Sequence, residues 1–573
     1  MIILGLNLGH DSSATILVNN KVKASCEQER YNKIKHTNDF PIEAIRDCLK
    51  ISKINFKEID IISVGFLPMK YIKELYLKTA VEDENRIKFL IDDIERIKKV
   101  YNIENLIRLK LRYKKKIEFN DHHLCHLASA YYPSGLEPTL LVSYDGLGEF
   151  ESGYFAIGKK NKISIIHKEN KYPNSLGLIY AAVTFFLGWK INYDEGIIMG
   201  LAPYGNPKQN IPGFKKTYIE VFRDIIQYKS GLDYIINKNY ISYHKQRNTW
   251  VGDEFLKIFG KRRLFKNKLT IHHKNIAAAL QLRVEEVVLK QLRYLQKKYK
   301  YKSLGISGGV GLNCSLNGKI HNSGLFKNIF VQPASGDAGL SYGTAILSYL
   351  RNKKVNKLGL FKNQNFYLGS SFKNTDILKT LNKFKKRLNF FKSNNIFKDT
   401  SLQLNSGNII GWFQGSSEFG PRALGNRSII CKPFPKKMKD HLNKNVKFRE
   451  EFRPFAPAII DNYREQYFQL NQRSDHMLIA SKIKSKMKKK VEAIVHIDDT
   501  CRVQTVTKNS NERFYKLLTE FNYLTNIPVL LNTSFNVKGQ PIVNNPEDAI
   551  KCFLKYKIDL LAIGDYLVSK KLK

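Results

Sequence analysis

Cysteine is sparse and irregular in this chain: seven residues, at positions 26, 48, 125, 314, 431, 501 and 552, with no Cys-x-x-Cys pair. That pattern excludes a zinc ribbon and offers no even disulfide framework, so reducing surroundings are expected. Long apolar runs are missing too. The longest, 175–189, holds fifteen residues interrupted by three polar positions, too short to cross a bilayer. No basic n-region or cleavage-site pattern precedes the opening apolar strand, and a soluble, cytoplasmic chain without membrane insertion is expected. Acidic residues are the third shortage, 51 Asp and Glu against 95 Lys and Arg, for a net charge of +44. Such an excess ordinarily points to nucleic acid or an anionic surface as a partner. Here the lysines are spread along the whole chain among Asn and Ile, with short clusters only at 114–116 and 486–490, so a general compositional bias explains most of it. No nucleic-acid partner is expected, only a solvated basic face with some affinity for phosphorylated or acidic ligands. Neither a Walker phosphate loop nor a dinucleotide fingerprint occurs.

What is present begins with length: 573 residues suit two large domains. The stretch Asp121, His122, His123, Leu124, Cys125, His126, Leu127, Ala128 reads as a helix. Residues four apart share a helix face, so His122 and His126 can point at one object while His123 points elsewhere. Two imidazoles can simply cap or pack, or they can ligate a metal. The apolar run Thr139–Tyr144 reads as a strand ending in Asp145, and the strand near Ile329 ends in Ala334, Ser335, Gly336, Asp337. Two imidazoles and two strand-end carboxylates make a plausible first-row metal set.

The opening Ile2–Asn7 reads as a buried strand, followed by a loop tipped by His10 and Asp11, and then by a hairpin closed at Asn19 and Asn20. Residues 41–118 read as charged, mainly helical insertion; 176–187 as a buried helix; 196–205 as a structured loop; and 274–298 as a long amphipathic helix. Ser303–Ser307 reads as a strand running into Gly308, Gly309, Val310, Gly311, Leu312, Asn313. Glycines there let the backbone approach a nucleotide closely, with N–H groups at the next helix start. Around 352–369 the apolar period fades, and the domain boundary is placed there, giving domains 1–355 and 366–573. In the second half Arg422 and Arg427 sit in a Gly- and Pro-containing loop from Phe419, and Lys447, Arg449 and Arg453 lead into Pro454, Phe455, Ala456, Pro457. Cationic forks of this kind suit phosphate or carboxylate oxygens. A last strand at 529–531 runs into Asn532, Thr533, Ser534, Phe535, Asn536, whose hydroxyls and amides suit ribose or phosphate oxygens.

Taken together, these motifs resemble, over essentially the full length, the O-carbamoyltransferases of the nodulation and antibiotic-tailoring type. The resemblance implies an α/β chain with an actin-like (ASKHA) two-lobed N-terminal domain followed by a YrdC-like α+β C-terminal domain. It implies that the second domain makes carbamoyl-adenylate from carbamoyl phosphate and ATP, with Mg²⁺, and that the first passes the carbamoyl group to a hydroxyl of a sugar or secondary metabolite. It further implies His122, His126, Asp145 and Asp337 as ligands of iron (Fe²⁺) or another divalent metal, with His10 at the acceptor site. Lys447 and Arg449 resemble the Lys-x-Arg pair of YrdC-like domains, and Ser534 and Asn536 their Ser-x-Asn pair. Gly308, Gly309, Asn313, Arg422, Arg427 and Arg453 are the expected nucleotide- and phosphate-binding residues. Ile197, Ser416 and Phe448 stand where the family pattern more often has a lysine, a basic residue and a histidine. Two alternatives are a tRNA-modifying threonylcarbamoyl-type transferase, which predicts steeply salt-dependent RNA binding, and a catalytically silent nucleotide-binding protein. The acceptor's identity and the oligomeric state stay open.

Overall fold

A computed structural model describes residues 1–168, 171–245, 247–353, 361 and 365–571. Most of the expected boundary stretch, 354–360 and 362–364, lies outside the described residues. The chain forms two compact units, Met1–Lys23 with Asn38–Pro41 and Ile54–Gln364, and Ala24–Thr37 with Ile42–Lys53 and Asn365–Lys573. Relative to the expected domains, residues 24–37 and 42–53 group with the second unit. The Ser25 amide donates to the Leu368 carbonyl (3.1 Å), and the Gly420 amide to Glu27 Oε1 (3.0 Å). No local sequence signal marks such long-range contacts.

The first unit carries one strand pattern twice. In one sheet the order is Lys21–Glu27, Ser13–Val18, Ile2–Asn7, Ile61–Val64, Lys116–Phe119. Ile2–Asn7 pairs antiparallel with Ser13–Val18 and parallel with Ile61–Val64, which is itself parallel to Lys116–Phe119. In the other the order is Lys162–Lys168, Gly153–Lys159, Thr139–Tyr144, Ser303–Ser307, Asn328–Val331, again antiparallel on one side of the first strand and parallel on the other. This duplicated α/β arrangement is the actin-like, two-lobed fold expected. The central strands are buried along nearly their whole length, which is why they read as continuous apolar runs rather than alternating ones. Asn19 takes φ 54 and closes the first hairpin. Helix Ala338–Asn352 packs on strand Ile2–Asn7 and on helix His122–Ser134. That approach needs Gly343, where a Cβ would meet the Cys125 carbonyl oxygen at 2.0 Å.

One local reading is corrected. The expected loop at 196–205 is a helix, Glu195–Leu201, followed by a short 3₁₀ turn. Ile197, Ile198 and Leu201 form its buried side, and helices Leu176–Phe186 and Ile271–Tyr299 pack against it. Burial of those three side chains outweighs the low helix propensity of Gly196 and Gly200.

The second unit is the expected α+β domain. Its sheet runs in the order Leu388–Lys392, Tyr566–Lys570, Leu560–Ile563, Ile410–Phe413, Arg427–Cys431, Val529–Ser534, Ala456–Ile460, Gln504–Val506. Both faces are covered. Ile410 and Trp412 pack into a core with Phe514, Leu517 and Phe521 of helix Glu512–Thr525, whereas Phe413 packs on the opposite face with Ile550 and Phe553 of helix Pro546–Lys555. Alternate residues of one strand therefore serve two cores.

Candidate active site

Asp121 caps helix His122–Ser134 by accepting the Leu124 amide (3.0 Å), and one turn of that helix then puts the rings of His122 and His126 side by side. Their Nε2 atoms lie 3.1 Å apart, and Asp145 Oδ2, at the end of strand Thr139–Tyr144, lies 3.0 and 3.3 Å from them. Asp337 Oδ1 completes the group at 3.7 and 3.6 Å. Asp337 opens helix Ala338–Asn352 without capping it through its side chain. The four ligand atoms all lie within 4.8 Å of one another, and only Asp337 is more than marginally exposed. Metal bonds of about 2.1 Å set ligand atoms roughly 3.0–3.4 Å apart; His122, His126 and Asp145 keep that spacing, Asp337 stands slightly wider, and the N₂O₂ donor chemistry suits a first-row divalent ion. Burial opposes a charged His122, but Asp145 and Asp337 outweigh it and raise its pKa to about 9. Burial likewise opposes ionised Asp145, and hydrogen bonds from both histidines hold it well below the usual carboxylate range. His123 turns away, its Nε2 at 2.8 Å from the Glu151 carbonyl oxygen, and burial lowers its pKa to about 3.

Beneath the quartet sits a charged support that sequence reading missed. Glu149 accepts the amides of His122 (3.1 Å) and Leu67 (2.8 Å), and Lys70 Nζ reaches Glu151 (2.7 Å), Asp121 (3.2 Å) and the Tyr154 hydroxyl (3.2 Å). Asp121 carried the usual helix-start signal; Lys70 lies too far away in sequence to have carried any. The glycine loop is tied to the same site. The Gly309 amide donates to Asp145 Oδ1 at 2.9 Å, so that N–H orients a carboxylate rather than facing a phosphate. Gly308 has φ +85, and a Cβ there would meet the Tyr144 carbonyl oxygen at 2.2 Å. Asn313 caps helix Cys314–Asn322 and exchanges hydrogen bonds with Gln281. His10 stands on a loop fixed by Asn7 Nδ2, which donates to the His10 (2.6 Å) and Asp11 (3.1 Å) carbonyls. That loop adjoins the Asp337 turn: a Cβ on Gly336 would lie 3.8 Å from Asp11 Oδ2.

In the second unit, Lys447 is buried and its Nζ donates to the Ser534 carbonyl (2.8 Å), the Asn536 carbonyl (2.8 Å) and Asn536 Oδ1 (2.8 Å), with Ser534 Oγ at 3.3 Å. Ser534 Oγ donates to Asn536 Oδ1 (2.6 Å). Residues eighty-seven and eighty-nine positions apart thus form one polar knot. Burial, then the nearby Arg449, holds the Lys447 pKa well below the usual lysine range. Arg449 lies over the Phe455 ring at 4.3 Å and donates to Asn443 Oδ1 (2.8 Å). Burial, then Arg453 and Arg502, depresses its pKa as well. The carboxylate beside this group, Glu450, is held by Lys538 (2.9 Å) and Arg453 (3.6 Å). Arg502 has no sequence motif to announce it, and its buried Nε lacks a partner among the described residues. The cluster is a site with excess positive charge, suited to an anion.

The two arginines of the 419–427 loop separate. Arg427 is fully buried, lies over Phe413 at 3.8 Å, and donates to the carbonyls of Gln414 (2.6 Å), Ser370 (2.8 Å) and Asn426 (3.1 Å). Its fork is occupied by backbone oxygens, and it staples the loop. Glu418 does the complementary work by accepting the amides of Leu424 and Asn426, each at 2.8 Å. Arg422 is half-buried on the same loop.

The carbamoyltransferase N-terminus profile matches residues 2–346 and the carbamoyltransferase C-terminus profile residues 401–570. An uncharacterized protein of Synechocystis sp. is 33% identical over 608 residues, covering 99% of this chain and 96% of that protein. Nodulation protein NolNO of Sinorhizobium fredii is 32% identical over 575 residues, covering 98% of this chain and 79% of NolNO. Among solved structures, HypF of T. kodakarensis aligns over 63% of this chain and 49% of its own at 13% identity, with a TM-score of 0.30. The matched profiles span both units and take in the histidine quartet and the Lys447 knot alike: this chain belongs to the carbamoyltransferase family.

Proposed function

We propose that the chain is an ATP-dependent O-carbamoyltransferase with its two steps divided between the two clusters. At the Lys447 cluster, water cleaves carbamoyl phosphate to carbamate and phosphate, and the carbamate oxygen then attacks the ATP α-phosphorus, displacing pyrophosphate to give carbamoyl-adenylate. Lys447, Arg449 and Arg453 neutralise oxygen charge as phosphate leaves, while Ser534 and Asn536 orient the reactants. At the first unit, a hydroxyl of a sugar or secondary metabolite displaces AMP, leaving the carbamate ester. His10 takes the hydroxyl proton as general base, which its loop beside the Asp337 turn supports. His122, His126, Asp145 and Asp337 would hold iron or another divalent metal, which supplies Lewis-acid polarisation when bound. Gly309 and Lys70 act through others, the first by aiming Asp145 and the second by steadying the helix start. No helix among the described residues is long and apolar enough to cross a membrane.

The observation that carries this reading is the convergence of Lys447, Ser534 and Asn536 into a single buried, cationic knot. Its test needs no acceptor. The purified protein is incubated with carbamoyl phosphate, ATP and magnesium, pyrophosphate is assayed, and carbamoyl-adenylate is sought by mass spectrometry. Product reduces the remaining question to a screen of hydroxylated acceptors. Its absence from metal-loaded protein would sink the adenylate chemistry and make RNA binding the next measurement.

A further inference from the structure

The helical excursion between strands Ile61–Val64 and Lys116–Phe119 has an outer surface that neither cluster uses. Among the described residues, eight of the twenty-six exposed large hydrophobic side chains fall between Leu77 and Leu109. Val81 is 87% exposed, Leu109 77%, Tyr101 66% and Ile91 63%. These are not leftovers of an unfilled core, because the inner side of the same segment is already packed: Phe89 and Ile107 are buried. Helices Ile87–Asp92 and Ile103–Leu111 thus each bury one apolar residue and carry further large apolar groups outside, and Ile94–Tyr101 between them buries none of its residues.

Charge accompanies the exposed apolar groups. Residues 77–116 hold twelve Lys and Arg against seven Asp and Glu. Helical spacing puts Ile94, Lys98 and Tyr101 on one face, and Leu106, Leu109 and Lys110 on another. Large apolar anchors flanked on their own face by lysines, with a tyrosine among them, match the interfacial layer of an anionic bilayer, where acyl boundary and headgroup phosphate lie side by side. A second copy fits less well, since a two-fold contact would set this positive face against itself.

We propose that the outward face of residues 77–116 docks on an anionic lipid surface, with its apolar side chains at the acyl boundary and its lysines on headgroup phosphates. The test is co-sedimentation of the full chain with phosphatidylcholine vesicles, and with vesicles in which a third of the lipid is phosphatidylglycerol, at low and high salt. Binding is expected to the anionic vesicles alone and to weaken with salt. An Ile91→Asp/Leu109→Asp variant should lose about tenfold in partition, and Lys98→Glu/Lys99→Glu a similar factor. Lys489→Glu/Lys490→Glu changes net charge equally on the second unit and should stay within about twofold of the parent. An equal loss in that control, or unchanged binding by both excursion variants, overturns the proposal. So does failure to bind anionic vesicles together with self-association that Leu109→Asp abolishes. All four changes in the excursion lie at exposed positions, and matching circular-dichroism melts check that the variants fold.

Discussion

The His122 quartet and the Lys447 knot are both buried, but one is built around two carboxylates and the other around a lysine and arginines. The quartet sets two carboxylates against two imidazoles whose Nε2 atoms face each other, a donor set that could hold a cation. The knot gathers Lys447, Arg449, Arg453 and Arg502 with a carboxylate already held by Lys538 and Arg453, a surplus of cations that suits an anion. Burial raises the cost of uncompensated charge, so the two clusters favour partners of opposite sign. Neither sign follows from net charge, which is basic throughout.

The largest effects should come from crossing the two sites. Lys447→Ala is expected to reduce pyrophosphate release by about a hundredfold or more while leaving divalent-metal binding intact; His126→Ala should abolish metal binding and carbamoyl transfer yet spare pyrophosphate release. Equal loss of adenylate formation in both variants would erase the contrast between the clusters. Next in size is Arg427→Lys, which cannot reproduce the fork to three carbonyls and should cost about 3 kcal/mol in denaturant unfolding, with adenylate formation retained by the folded fraction. A variant with parental stability and lost activity would return Arg427 to the ligand site.

Slightly smaller is the stabilisation by each partner. At a hundredfold excess over Kd, a divalent metal or inorganic phosphate should each add about 2.7 kcal/mol to the parent, the metal effect vanishing in His126→Ala and the phosphate effect in Lys447→Ala. The smallest effect is on pH. Burial holds free Lys447 well below the usual lysine range, and an adjacent anion favours its charged form, so the bound state keeps its proton to higher pH. Phosphate binding should therefore take up a proton, and affinity should fall as pH rises past the free-state value. Calorimetry in buffers of different ionisation enthalpy measures that uptake, and its absence would mean that Lys447 is not the group meeting the anion.

Much of the site was legible because its residues occupy positions that local rules expose. His122 and His126 are one helical turn apart, and Asp145 follows directly on an apolar strand, so spacing alone suggested their convergence. The Lys447 and Ser534 motifs were recognisable only as a family resemblance, since nothing local joins residues so far apart. Lys70, Glu149 and Arg502 escaped notice because each acts across long sequence separations and looks, in the chain, like any other charged residue among many.

Most element types and the order of the two halves could be read from the chain alone, because strand burial and helical period are local properties; the 196–205 segment, read as a loop, is a helix because its neighbours bury Ile197, Ile198 and Leu201. Only the tertiary structure decided that Arg427 is a staple while Arg449 remains in a cationic pocket, that the Gly309 amide aims Asp145, and that residues 24–37 and 42–53 group with the second unit. Those outcomes depend on which carbonyl, carboxylate or cation lies within a few ångströms, and distance in space is fixed by packing rather than by distance along the chain.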